Sequence, residues 1–96
     1  MTLSDLFKFK LYVAGDAPNS ALAIDNLAAF CRAHLRNRYE IEVVDVFREP
    51  KRALKEGIFM TPTLVVLTPP PVRRIVGTLS HAQTVLLALG LKDLTA

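Results

Sequence analysis

Of the 96 residues only Cys31 is a cysteine, which excludes an internal disulfide and a dithiol couple and leaves thiol chemistry a single candidate. A lone cysteine also suits a reducing compartment. Long apolar runs are missing: stretches such as Val85 to Leu89 fall far short of the roughly 20 residues that a membrane helix needs. The stretch around Asp5 lacks the basic-then-apolar order of a signal peptide, so a cytoplasmic address is expected and a membrane partner is not. Charge of one sign is never concentrated. The 12 Lys and Arg and 9 Asp and Glu leave a net charge of +3, scattered rather than gathered into an arm, and a nucleic-acid partner is not expected. No repeat, low-complexity tract or linker divides the chain. One domain over 1–96 is expected, with 91–96 a short frayed tail.

Catalytic constellations are equally scarce. No Gly-rich phosphate loop and no Ser-His-Asp set occurs at a spacing that chemistry requires. His34 and His81 stand without a second His or Cys at metal-ligand spacing, so no metal is expected. Asp45 has no paired carboxylate or base beside it and reads as a partner for backbone groups. The expectation is a protein without enzymatic activity or cofactor.

What is present is a succession of short elements. Phe7, Phe9, Leu11 and Val13 alternate with Lys8, Lys10, Tyr12 and Ala14, the period of a strand. The turn Gly15-Asp16-Ala17-Pro18-Asn19-Ser20 follows, with Asn19 and Ser20 as candidate caps of a helix. In that helix Ile24, Leu27, Ala28, Cys31 and Leu35 recur at helical spacing, so Cys31 reads as core. Tyr39 to Val46 is a second strand, and a strand after a crossover helix implies a right-handed βαβ unit with parallel strands. Pro50 suits the first turn of a short helix through Glu56, and Gly57 its left-handed stop. Thr63 to Leu67 is apolar on both sides, as a strand covered on both faces must be, and Val72 to Val76 pairs with it. Ser80-His81-Ala82-Gln83 has the form of a capping box for a last helix through Leu89, closed by Gly90.

Four of the six prolines fall between Met60 and Gly77. Because X-Pro bonds have a small trans preference and isomerise slowly, the bonds before Pro62, Pro69, Pro70 and Pro71 are candidate conformational switches. Arg73 and Arg74 follow on an edge-type strand, where arginines blunt unwanted pairing or meet a partner. Lys51, Arg52 and Lys55 lie on the second helix, either as an ordinary solvated surface or as a positive docking face.

The order β-α-β-α-β-β-α is that of a thioredoxin-like α/β fold, with a Thr-Pro entering the third strand. Where a thioredoxin carries Cys-x-x-Cys at the start of its first helix, this chain has Asp16-Ala17-Pro18-Asn19. More specific are Lys10-Leu-Tyr-Val-Ala-Gly15, Pro18-Asn-Ser20, Val44-Asp-Val46, Thr61-Pro-Thr-Leu64 and Pro69-Pro-Pro-Val-Arg-Arg-Ile-Val-Gly77 with Leu79-Ser80. Over nearly the whole chain these motifs closely resemble the KaiB family of circadian-clock proteins. The resemblance implies a metamorphic protein: a tetramer arranged β-α-β-β-α-α-β exchanges with a thioredoxin-like monomer that docks on the hexameric ATPase KaiC. Self-association and a KaiC-like ATPase as partner are therefore expected, with a SasA-like histidine kinase as competitor.

Departures from the family bear on both properties. Cyanobacterial members tend to have glycine and aspartate where this chain has Ala88 and Gly90. Alanine favours a helix interior by about 1 kcal/mol over glycine, and losing a carboxylate at a helix C-terminus removes an unfavourable dipole contact. Both changes favour the thioredoxin-like form. Basic residues thought to meet KaiC are replaced by Leu22, Asp25 and Gly57, so Lys51, Arg52 and Lys55, with Arg73 and Arg74, are the candidate partner-binding residues. Pro62, Pro69, Pro70, Pro71, Ala88 and Gly90 are the candidate fold-switch hinge. The alternatives are a thioredoxin-like redox protein that uses Cys31 alone and a sensor domain of a kinase such as SasA, although the chain shows no kinase linker.

Overall fold

Alternation at the N-terminus and helical spacing after it produce the expected order. The computed structural model describes residues 6–91. It consists of β1 (Phe7–Val13), α1 (Pro18–His34), β2 (Tyr39–Asp45), α2 (Pro50–Lys55), β3 (Thr63–Thr68), β4 (Arg73–Val76) and α3 (Ala82–Ala88). The expected tail falls, apart from Leu91, at 92–96 and outside the described residues, as does Asp5.

The sheet order is β2-β1-β3-β4. β1 runs parallel to β2, with Phe7 opposite Tyr39 and Val13 opposite Asp45, as a crossover helix requires. β3 is antiparallel to both β1 and β4. Period-two alternation divides the side chains between two cores. Phe7, Phe9, Leu11 and Val13 meet Leu27, Phe30 and Cys31 of α1 and Val85 and Leu86 of α3 on one face. On the other face, Tyr12, Val44 and Val65 pack under Ala53 of α2 and Ile58 after it. β3 is buried from Thr63 through Val66, as its unbroken apolar run demands.

Two capping expectations are corrected. α1 takes Ala17 as its N-cap without a side-chain bond and Pro18 in its first turn, where the fixed φ and missing N–H of proline cost nothing. Ser20 lies inside the helix, buried, and its Oγ accepts from Ala14 N at 3.0 Å, closing the turn from β1 instead of capping the helix. The capping box at Ser80 does not form. His81 is the N-cap of α3 without a side-chain bond, while the Ser80 hydroxyl lies 2.6 Å from Thr78 Oγ1 and Asn26 Nδ2 donates to Thr78 O at 2.9 Å. A tertiary contact from α1 thus holds the loop, and within it the Ser80 hydroxyl is engaged by Thr78 rather than by the helix. The stripe on α1 is also turned slightly: Ala23 and Phe30 are buried, whereas Ala28 is half-buried.

The two cores make opposite demands. Leu27 is 1% exposed in the larger core, and Leu27→Ala is expected to destabilise the fold by about 2–5 kcal/mol in urea unfolding, since the site is enclosed by two helices and the sheet. In the smaller core the Tyr12 hydroxyl is buried with no hydrogen-bond partner among the described residues. Removing an unmatched buried donor relieves a desolvation cost, so Tyr12→Phe is expected to raise stability by about 1 kcal/mol in the same measurement; a loss of that size would contradict it.

Candidate functional site

The C-terminal ends of β1 and β2 meet the start of β3 at one end of the sheet, and the backbone there is held by Asp45. Its Oδ1 accepts from Gly15 N at 3.1 Å and from Phe47 N at 2.9 Å, the backbone role expected for this carboxylate. Gly15 has φ +52°, and a Cβ there would lie 3.3 Å from the Phe47 ring, so both the turn and the close approach require glycine. Beside this turn α1 begins with Ala17-Pro18-Asn19, so its first turn offers no thiol. Across the sheet end lies the loop into β3, where Thr63 Oγ1 donates to Met60 O at 2.5 Å. The Thr61-Pro62, Thr68-Pro69 and Pro70-Pro71 bonds are cis.

Thiol chemistry has no access to this end. Cys31 is wholly buried in the last turn of α1, and desolvation pushes its thiol up to about 12 against the opposing charge of Arg32. Among the described residues no group of three or more His, Cys, Asp and Glu is placed to hold a metal, and no helix is long and apolar enough to cross a membrane.

The candidate partner-binding residues occupy three different environments. Lys51 and Lys55 are exposed on α2. Arg52, between them, forks onto Glu42 at 2.8 and 3.0 Å and reaches Glu49 at 3.3 Å. That hydrogen bond lowers the Glu42 carboxyl below its ordinary range and raises the Arg52 guanidinium, so much of the positive charge of Arg52 is matched within the chain. Arg73 and Arg74 donate to main-chain carbonyls: Arg73 to Ala88 O, to Pro69 O at 3.2 Å and to Pro71 O at 3.1 Å, and Arg74 to Glu56 O and to Gly57 O at 3.2 Å. The structure therefore brings Arg73 together with Pro69, Pro71 and Ala88, whereas Pro62 lies buried at the opposite end of β3. Gly57 and Gly90 have φ of +68° and +74° and stop α2 and α3 as expected. Leu22 and Asp25 are exposed on the outer face of α1.

Sequence reasoning missed an apolar surface. Phe59 is 88% and Met60 63% exposed, and with Gly57, Ile58, Thr63, Arg74 and Val76 they line a cleft of about 200 Å³. The signal was the apolar triplet Ile58-Phe59-Met60 lying between a helix stop and the next strand, outside any periodic element. Only Ile58 of the three turns inward.

This sheet and helix order defines a thioredoxin-like fold whose first helix lacks the dithiol. Chloroplastic thioredoxin z superposes with a TM-score of 0.75 at 20% identity, covering 90% of this chain and 77% of that one. The N-terminal domain of SasA from Synechococcus elongatus superposes with a TM-score of 0.74 at 18% identity, covering 97% and 91%. Within that class the sequence is decisive. The KaiB domain family matches residues 10–91, and the chain belongs to the KaiB family. It is 42% identical over 89 residues to the circadian clock oscillator protein KaiB of Thermosynechococcus vestitus, covering 93% of this chain and 82% of the relative. It is 41% identical over 80 residues to the circadian clock protein KaiB3 of Synechocystis sp., covering 83% and 78%.

Burial of Cys31 has a measurable signature. In the unfolded chain the thiol ionises at its ordinary pKa, whereas in the fold it keeps its proton to about pH 12, so above pH 9 the native state binds more protons and stability falls as pH rises. The expected fall is about 1.4 kcal/mol per pH unit, and Tyr12, also raised by burial, steepens it at higher pH. Urea unfolding of wild type and Cys31→Ala between pH 8 and 10 checks this: the decline is expected in wild type and largely absent in the variant. Below pH 8 the two proteins are expected to run parallel.

Proposed function

We propose that this protein is a non-enzymatic regulatory binding module of the cytoplasm that docks on a KaiC-type hexameric ATPase and modulates its phosphorylation or its output signalling. The observation that carries the reading is membership of the KaiB family across residues 10–91 in a thioredoxin-like frame without the thioredoxin thiols. Burial of Cys31 weighs against a single-cysteine redox role. Lys51 and Lys55, exposed on α2, are the charged contacts proposed for the ATPase. Arg52, Arg73 and Arg74 take part through the elements that they hold in place. A SasA-like histidine kinase is the proposed competitor, because a common fold is a route to a common docking surface.

The timing element is slow exchange between the thioredoxin-like arrangement and a self-associated β-α-β-β-α-α-β arrangement, with Pro62, Pro69, Pro70, Pro71, Ala88 and Gly90 as the hinge. Association offsets modest local preferences by burying apolar surface, so the balance depends on concentration. Ala88 and Gly90 weight it toward the thioredoxin-like form. NMR of dilute protein is expected to give that form as a major set of signals, and a spectrum of the associated arrangement alone would contradict the assignment.

Docking is tested by mixing the protein with its cognate KaiC-type ATPase in each phosphorylation and nucleotide state. Size exclusion is expected to resolve a large complex that forms slowly in at least one state. Its absence in all of them would overturn the proposal. An insulin-reduction activity lost in Cys31→Ala would restore the redox alternative.

A further inference from the structure

α2 and α3 end in the same way. At α2, Gly57 N donates to Leu54 O and Ile58 N to Ala53 O; at α3, Gly90 N donates to Leu87 O and Leu91 N to Leu86 O. Each is a Schellman turn around a left-handed glycine, and each leaves further carbonyls at the helix end to be satisfied. One arginine serves each end. Arg74 takes Glu56 O and Gly57 O, and Arg73 takes Ala88 O. The glycines carry the correspondence further, since a Cβ built at Gly57 would lie 3.9 Å from Arg74 Nη1 and one at Gly90 3.9 Å from Arg73 Nη1.

The two arginines are consecutive on β4, so strand alternation sends them to opposite faces of the sheet. Arg73 shares its face with Ile75, which packs against the core that includes α3, while Arg74 faces the side covered by α2. Both place a cation at the negative end of a helix dipole, and a charged donor makes a stronger bond than a neutral one. The strand that carries them has four residues and sits at the sheet edge, paired among the described residues only with β3.

From this geometry we infer that β4 is a two-sided latch: its seat on β3 holds the C-terminal ends of α2 and α3 at once, and lifting it releases both. The two helix ends lie on opposite faces of the sheet and are coupled through one short edge strand. An event that peels β4, such as a conformational change or a partner competing for β3, frees them together. This inference stands apart from the proposed ATPase docking, because it concerns the free protein alone.

Amide hydrogen exchange of the full chain, followed by NMR at Gly57, Ile58, Gly90 and Leu91, tests it. Arg74→Gln is expected to speed exchange about tenfold at Gly57 and Ile58 and to leave Gly90 and Leu91 within about twofold; Arg73→Gln is expected to do the reverse. Val76→Gly removes none of the hydrogen bonds of the two arginines and alters a side chain that is 54% exposed, so it weakens the strand without opening the core. It is expected to speed exchange about threefold or more at both pairs. Acceleration of only one pair, or of neither, in Val76→Gly would overturn the latch, as would an arginine variant that leaves its own helix end unchanged.

Discussion

β1 has neighbours on both edges and a core against each face, and no other strand bears so much of the packing. Phe7, Phe9, Leu11 and Val13 supply the centre of the larger core, and Tyr12 roofs the smaller one beneath α2. Its parallel pairing with β2 draws α1 across one face, while its antiparallel pairing with β3 brings the proline-rich half of the chain alongside. The alternation of seven residues therefore decides where every helix finds its apolar surface. The hydrophobic effect supplies the drive, and the strand period directs it.

The C-terminal half is tied down by a different kind of contact. Its helices are short, with six residues in α2 and seven in α3, and helices of that length have little stability of their own. α3 contributes Val85, Leu86 and the following Leu89 to the larger core, whereas α2 contributes Ala53 alone before Ile58. Carbonyls at the helix ends met by Arg73 and Arg74 add directional bonds where apolar burial is thin. These bonds come from a four-residue edge strand rather than from the core.

Much of this was legible because the signals are local. The period of β1, the crossover to β2, the left-handed stops at Gly57 and Gly90, the backbone role of Asp45 and the burial of Cys31 follow from residues close together in sequence. The caps expected at Ser20 and Ser80 do not form, because a hydroxyl has several possible partners within reach. Ser20 closes the turn from β1, and Ser80 sits beside Thr78 in a loop held by Asn26, far away on α1. The functions of the arginines were open for the same reason. Arg73 and Arg74 find acceptors 15 and 18 residues away, and Arg52 finds Glu42 10 residues away, so charge pattern alone left docking and structural roles equally available.

What the sequence determined by itself is the type and order of the elements, because periodicity, proline and glycine act through a few neighbouring dihedrals. It also excluded a dithiol, since the residues that open α1 are not cysteines. The tertiary structure decided which polar groups meet: carbonyls at helix ends with arginines, Ser20 with a turn, and Arg52 with two carboxylates. Such contacts join positions whose proximity exists only once β1 has gathered the sheet, and no local pattern encodes them.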